Sequence, residues 1–273
     1  MNEVKRNEKS PKERALDRKL LAMTEGKAKE TLQLLIEDEE IHAMQEYANT
    51  VSIRRLHFND HGPVHMRKVA LNALTMMNLL KEANVKLSLE EDEVGSFEES
   101  SVGVLLAAFL HDVGMTIGRQ DHEHSSMIIA APYIDAITQK LYPNDPVRRV
   151  ITKSVALEGI VGHMAQQKIH SKEAGIILIA DGCDMEKGRA RIPMSMNTES
   201  HVGDIHKYSA SAIEKVKIKK GEEKPIRIAV EMSASVGFFQ IEEVLFSKIN
   251  SSPVKDQIEL IANVIGRDVK RYL

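Results

Sequence analysis

A mainly α-helical body followed by a small C-terminal α+β subdomain is the fold this sequence predicts. Three observations carry it. Between Thr31 and about residue 182, apolar residues recur at helical spacing in one segment after another. Two of those segments, VGVLLAAFLHDVGM and GIILIADGCDM, are apolar nearly throughout, as helices at the centre of a bundle are. After about residue 195 the character changes: VKIKK and IRIAVEM have strand composition, and GEEKP between them reads as a hairpin turn. The chain thus divides into a charged N-terminal extension (1–30), a helical domain (31–195) and an α+β subdomain (196–273).

The elements follow in order. Residues 1–30 are rich in Lys and Glu and read as helical or frayed. The next helix places Leu32, Leu35, Ile36, Glu39, Ala43 and Tyr47 on one face. His57 to Gly62 breaks the pattern, and Pro63 suits a first helical position. From there a stripe of His65, Val69, Ala73, Met76 and Leu80 puts His65 on a buried face near the helix start. Residues 90–101 are acidic, small and polar, which predicts a surface loop. An apolar helix follows, ends in His111-Asp112, and stops at Gly114. HEHSSMIIAAPYIDAITQKLY is helical, with Pro132 expected to kink or split it. Asn144-Asp145-Pro146 opens a helix whose far end carries His163. Ser171 caps the helix that ends near Asp181 and Asp184. In the subdomain, FFQIEEVLFSKI reads as a helix, and QIELIANVI fits a strand or a helix, with strand preferred.

Composition excludes several classes. The formal net charge is -3 and aromatics are 4% with no Trp, so neither the phosphate-binding charge nor the stacking platforms of a nucleic-acid protein are favoured. The single cysteine, Cys183, rules out a disulfide within the chain and cysteine-based zinc sites. The N-terminus is charged throughout, and the apolar runs are far shorter than the roughly 20 residues of a bilayer span. The expectation is a soluble cytoplasmic protein with no membrane partner. Homo-oligomerisation is left open.

The chemistry lies in the order of histidines and aspartates: His65, His111-Asp112, His124, His163 and Asp181. Imidazoles and carboxylates from separate segments are the ligand set of a borderline divalent metal. Each residue alone has a plainer reading, such as a satisfied core histidine or a buried His-Asp hydrogen bond. Yet His111-Asp112, His163 and Asp181 each end an apolar helix, where an ionisable group is costly to bury. One shared cation explains all of those placements. In Asp121-His122-Glu123-His124 either histidine can serve; His124, read as the helix start, suits an inward ligand better. His61, in the loop before His65, is a candidate for proton transfer. Arg189 and Arg191 follow the last aspartates and suit bidentate phosphate binding, with Lys187 and Arg119 weaker candidates.

The order of His65, His111-Asp112 and Asp181 resembles the HD superfamily of metal-dependent phosphohydrolases over roughly residues 57–195. DHEHSS, with a later histidine and an Ala-Asp, is also similar to the catalytic domain of ribonuclease Y. NDHGPVHMRKV with ADGCDMEKGRARIP looks like a little-characterised archaeal and bacterial HD branch with an α+β tail. The resemblance implies an all-helical core in which His65, His111, Asp112 and Asp181 bind metal. It also implies, as in two-metal relatives, a second ion at His124 and His163, with Asp112 bridging. Iron or manganese is favoured, with magnesium, zinc, cobalt and nickel as alternatives. Two departures stand out. Met115 occupies a position where several two-metal relatives have lysine, and the Gly-Tyr-Pro signature of cyclic-di-GMP hydrolases is absent.

The expected activity is hydrolysis of a small phosphorylated substrate, most simply a nucleotide-like or cyclic phosphodiester, by metal-activated water. In it Asp112 is catalytic, His61 moves a proton, and Asp184 orients a ligand or the water. The alternatives are a nucleotide phosphomonoesterase, a di-iron oxygenase of HD type, and a non-catalytic nucleotide sensor.

Overall fold

The computed structural model describes residues 8–187, 204–266 and 269–273. Its helical body comprises α1 (Pro11–Ala22), α2 (Gly26–Glu37), α3 (Glu39–Thr50), α4 (Pro63–Glu82), α5 (Ser88–Glu91), α6 (Phe97–Leu110), α7 (His122–Leu141), α8 (Pro146–Gly162) and α9 (Lys172–Gly182). Helix α6 is the axis. It is apolar on every side, every residue from Glu99 to Leu110 is buried, and α2, α4, α8 and α9 pack around it. Burying Leu105, Leu106, Phe109 and Leu110 contributes roughly 1.5–3 kcal/mol per side chain.

Start signals act as the sequence implies. Pro63 and Pro146 occupy first helical turns, and the Ser171 side chain accepts from the Ala174 amide. Four expectations need revision. Residues 97–101 are helical rather than looped: Ser96 and Glu99 close a reciprocal cap there, and Ser100 and Ser101 face the interior. Residues 88–91 form a further helical turn. Pro132 does not split α7, because Pro132 and Ile128, whose carbonyl it leaves without an amide, are both exposed, and water can take that acceptor. The segment read as one helix from Thr31 is two, α2 and α3, divided at Asp38, whose carboxylate accepts from the Glu40 and Ile41 amides. The N-terminal stretch is helical as read: α1 docks on α4, where Asp17 Oδ1 accepts from Arg67 Nε at 2.6 Å and the Arg67 guanidinium lies over the Phe109 ring.

The C-terminal part opens with α10 (Asp204–Ala212) and contains β1 (Ile213–Lys220), β2 (Ile226–Met232), β3 (Ile258–Val264) and β4 (Val269–Arg271), in sheet order β1-β2-β3-β4. Strands β1 and β2 form the expected hairpin, closed by the Gly221 amide on the Pro225 carbonyl at 3.2 Å. Strand β3 runs parallel to β2, with Ile226, Ile228, Val230 and Met232 opposite Ile258, Leu260, Ala262 and Val264. These side chains join the same apolar core as the helical body. The crossover carries α11 (Gly237–Gln240), a π-helical turn Ile241–Phe246 and α12 (Ser247–Asn250). Strands β1 and β2 touch α4, while the crossover touches α9. The subdomain therefore leans on the two helices that carry His65 and Asp181. Among the described residues, no helix is long and apolar enough to cross a membrane.

Candidate metal centre

Four helix ends meet inside the body. His65 sits in the first turn of α4, His111 caps the C-terminus of α6 with Asp112 next to it, His163 caps α8, and Asp181 lies in the last turn of α9. The N-terminus of α7 supplies a fifth group, His122. All six side chains are buried.

Backbone geometry aims them. After α6 the chain turns through a short 3-10 segment, Val113–Thr116, and Gly114 lies directly against the start of α7. A Cβ on Gly114 would sit 2.1 Å from the His122 carbonyl oxygen, so only glycine allows Asp112 and His122 to approach. Asp121, just before His122, takes a left-handed conformation with φ 50°, which a short polar side chain tolerates. Before α4, a π-helical turn (Val51–Arg55) turns Ser52 toward the loop that carries His61.

Each imidazole is tethered by Nδ1. His111 donates to the Ala108 carbonyl at 3.0 Å, His122 to the Arg119 carbonyl at 3.0 Å, and His163 to the Ile160 carbonyl at 2.6 Å. His65 donates to Asp184 Oδ2 at 2.8 Å, and Asp184 Oδ1 accepts from Lys68 Nζ at 2.6 Å. Carbonyls and carboxylates only accept, so each Nδ1 carries the hydrogen and each neutral ring presents its lone pair at Nε2. Those lone pairs face one another. The Nε2 atoms of His65 and His111 are 3.2 Å apart, and those of His122 and His163 are 3.1 Å apart.

Asp112 stands between the two pairs. Its Oδ2 lies 3.3 Å from Nε2 of both His65 and His111, and its Oδ1 lies 3.2 Å from His122 Nε2 and 3.4 Å from His163 Nε2. Asp181 Oδ1 lies 3.2 Å from His65 Nε2. Lone pairs at such separations repel unless a proton or a cation lies among them. An extra proton on His163 is disfavoured, since burial pushes it down to about 4. Burial alone would raise the Asp112 carboxyl, but the imidazoles around it, His111 first, hold it well below the usual carboxylate range. Donor atoms roughly 3 Å apart are the spacing of neighbouring ligands around an ion bound at about 2.0–2.2 Å. The buried His/Asp set can hold a metal ion, with His65, His111 and Asp181 as one group and His111, Asp112 and His163 as an overlapping one.

Of the residues the sequence singles out, His65, His111, Asp112, His163, Asp181 and Asp184 come together. His61 stands beside them, its ring centroid 5.9 Å from that of His65 and its Nδ1 directed to the Asn59 carbonyl at 2.6 Å. His124 does not join the cluster; His122 stands in the place expected of it. Helix α7 begins at His122, the first residue of the segment read as helical, and His124, two residues on, lies about 200° further around it. His124 therefore faces outward, its side chain 43% exposed. Arg189 and Arg191 lie outside the described residues.

Three groups beside the cluster were missed or undervalued. Lys68 sits one helical turn after His65 on the same face, a spacing that points to it in retrospect. Arg119 places Nη1 3.4 Å from His122 Nε2 and lies over the half-exposed Phe58 ring. Lys248, from α12, pairs with Asp181 Oδ2 and donates to the His163 carbonyl at 2.8 Å; no sequence pattern marks it. Lys187, the other weak candidate, pairs with Glu214.

No family model and no solved structure matches the chain. Uncharacterized protein MJ1020 of Methanocaldococcus jannaschii is 37% identical to it over 251 residues, which cover 92% of this chain and 95% of that protein.

Proposed function

The chain belongs to the same family as the uncharacterized protein MJ1020 of M. jannaschii, and from its buried cluster we propose that it is a divalent-metal-dependent phosphohydrolase of HD type. One observation carries the reading. Four imidazoles, each locked at Nδ1, turn their Nε2 lone pairs onto the two oxygens of one carboxylate, Asp112. A merely structural polar core would pair donors with acceptors; this one pairs acceptors with acceptors.

His65, His111, Asp112 and Asp181 would hold one ion, and His122, His163 and Asp112 a second. Iron or manganese suits this nitrogen and oxygen set, with magnesium, zinc, cobalt and nickel as alternatives. When bound, such ions acidify water and polarise a phosphoryl oxygen. Asp184 keeps His65 in one tautomer and orientation, and Lys68 holds the far oxygen of Asp184 in place. His61, beside His65, is within reach to protonate a departing alkoxide. Arg119, at the edge of the cluster, offers a planar cation to phosphate oxygens, and Arg189 and Arg191 are proposed to do the same. A small nucleotide-like or cyclic phosphodiester is the proposed substrate.

The test is an anaerobic screen of phosphomonoesters, cyclic phosphates and dinucleotides, with bis-p-nitrophenyl phosphate as a generic diester. Each would be run with Fe(II), Mn(II), Mg(II) and Zn(II). Metal-dependent hydrolysis that disappears in Asp112→Ala supports the reading. Absence of turnover across the whole screen, or turnover unchanged in that variant, would defeat it.

A further inference from the structure

We propose that Lys248 is a positioning residue of the metal centre, so that the C-terminal subdomain completes the site. The proposal rests on the reading of the cluster as a divalent-cation site. Lys248 is only 8% exposed. An ammonium group buried to that degree is costly without close partners. Among the described residues it has two, and both belong to the cluster: Asp181 Oδ2 and the backbone carbonyl of His163. Asp181 thus divides its carboxylate, with Oδ1 turned to His65 Nε2 at 3.2 Å and Oδ2 turned to the ammonium. The same ammonium fixes the backbone of His163, whose ring is already fixed by the Ile160 carbonyl. One side chain from the subdomain therefore ties the aspartate of α9 to the histidine that ends α8.

Its own place is set by packing. The turn Ile241–Phe246 and α12 lie on α9, and a Cβ on Gly182 would come 3.1 Å from Lys248 Cδ and 3.3 Å from Leu245. A small cleft between the body and the subdomain, lined by Asn59, Asp181, Asp184, Gln240, Val244 and Lys248, opens at this point. The arrangement repeats on the other flank, where Lys68 stands behind Asp184 and Asp184 behind His65. A lysine behind each of these two carboxylates occupies its outer oxygen, so that the inner oxygen is presented in one orientation.

Metal-stripped full-length protein would be titrated with Co(II), following the visible spectrum, and compared with Lys248→Met, Lys248→Arg and Lys248→Gln, with Tm recorded for each. The expected result is a loss of affinity of roughly 10–100-fold in Lys248→Met, with an altered spectrum, and partial recovery in Lys248→Arg. Should Lys248→Met not fold, Lys248→Gln, which keeps a donor without the charge, makes the same comparison. Unchanged or tighter Co(II) binding with an unchanged spectrum would overturn the proposal and leave Lys248 as a structural ion pair, or as an occupant of the cation's own space. If the unaltered protein takes up no Co(II), both this proposal and the metal-centre reading fall. If it binds and the variants bind equally, only the role of Lys248 falls.

Discussion

His122 Nε2 and His163 Nε2 lie 3.1 Å apart, and each ring gives its other nitrogen's hydrogen to a backbone carbonyl. Neither ring can turn to donate to the other without giving up its bond to that carbonyl. This pair, with Asp112 Oδ1, therefore offers acceptors to a cation. His122→Ala is expected to lower the metal content by about one equivalent, whereas His124→Ala, on the exposed side of α7, leaves it unchanged. Elemental analysis of protein purified without air checks this. Equal content in both variants would put the second ion elsewhere.

The link from Lys68 through Asp184 to His65 makes a second prediction. Asp184→Asn keeps the shape but no longer enforces the His65 tautomer. Divalent affinity should fall roughly 10–100-fold, as it does when the group behind a ligating histidine is lost. Isothermal titration with Mn(II) measures it. Wild-type affinity in the variant would mean that His65 is oriented by packing alone.

Gly114 is where packing and site converge. Gly114→Ala places a methyl group 2.1 Å from the His122 carbonyl oxygen and 2.5 Å from the Ser126 amide. The 3-10 turn and the start of α7 must separate, at a cost of about 1–3 kcal/mol or more. Thermal unfolding should show a lower Tm, and metal binding should weaken with it. An unchanged Tm would show that the contact yields more easily than its geometry implies.

Acid stability has a specific source away from the centre. Burial alone would raise the Glu13 carboxyl, but His42, the Ser10 amide and hydroxyl, and Arg67 bring it down to about 2 from its ordinary 4.5. A depressed carboxylate stabilises the fold above its unfolded pKa. That contribution is lost as pH falls from about 4.5 toward 2. The shift corresponds to roughly 3 kcal/mol at most. Denaturant unfolding of Glu13→Gln should therefore show a flatter decline between pH 5 and pH 2 than the unaltered protein. Parallel declines would assign acid sensitivity to other groups.

The helical body was legible because its signals are local. Proline at Pro63 and Pro146, the Ser171 cap and the apolar run before His111 each act within a few residues. The same holds for the β1–β2 hairpin and for β3. The convergence of His65, His111, Asp112, His163 and Asp181 was legible because burying ionisable groups at apolar helix ends is costly wherever they sit. What escaped was set by rotation and by distance. His122 and His124 differ by two residues, which periodicity cannot separate without the true helix start. Lys248 reaches Asp181 across 67 residues of chain, and nothing near it in sequence announces the contact. The Ser96 cap was overlooked because the acidic residues after it read as a loop.

The most direct test of the central claim is the uptake of Mn(II) by metal-stripped protein, followed by electron paramagnetic resonance. If the four Nε2 lone pairs and the Asp112 carboxylate enclose cations, the unaltered chain should take up two ions per chain with a spin-coupled signal, and Asp112→Ala should lose that signal entirely. No uptake by the unaltered protein, or the same uptake and signal in Asp112→Ala, would contradict it.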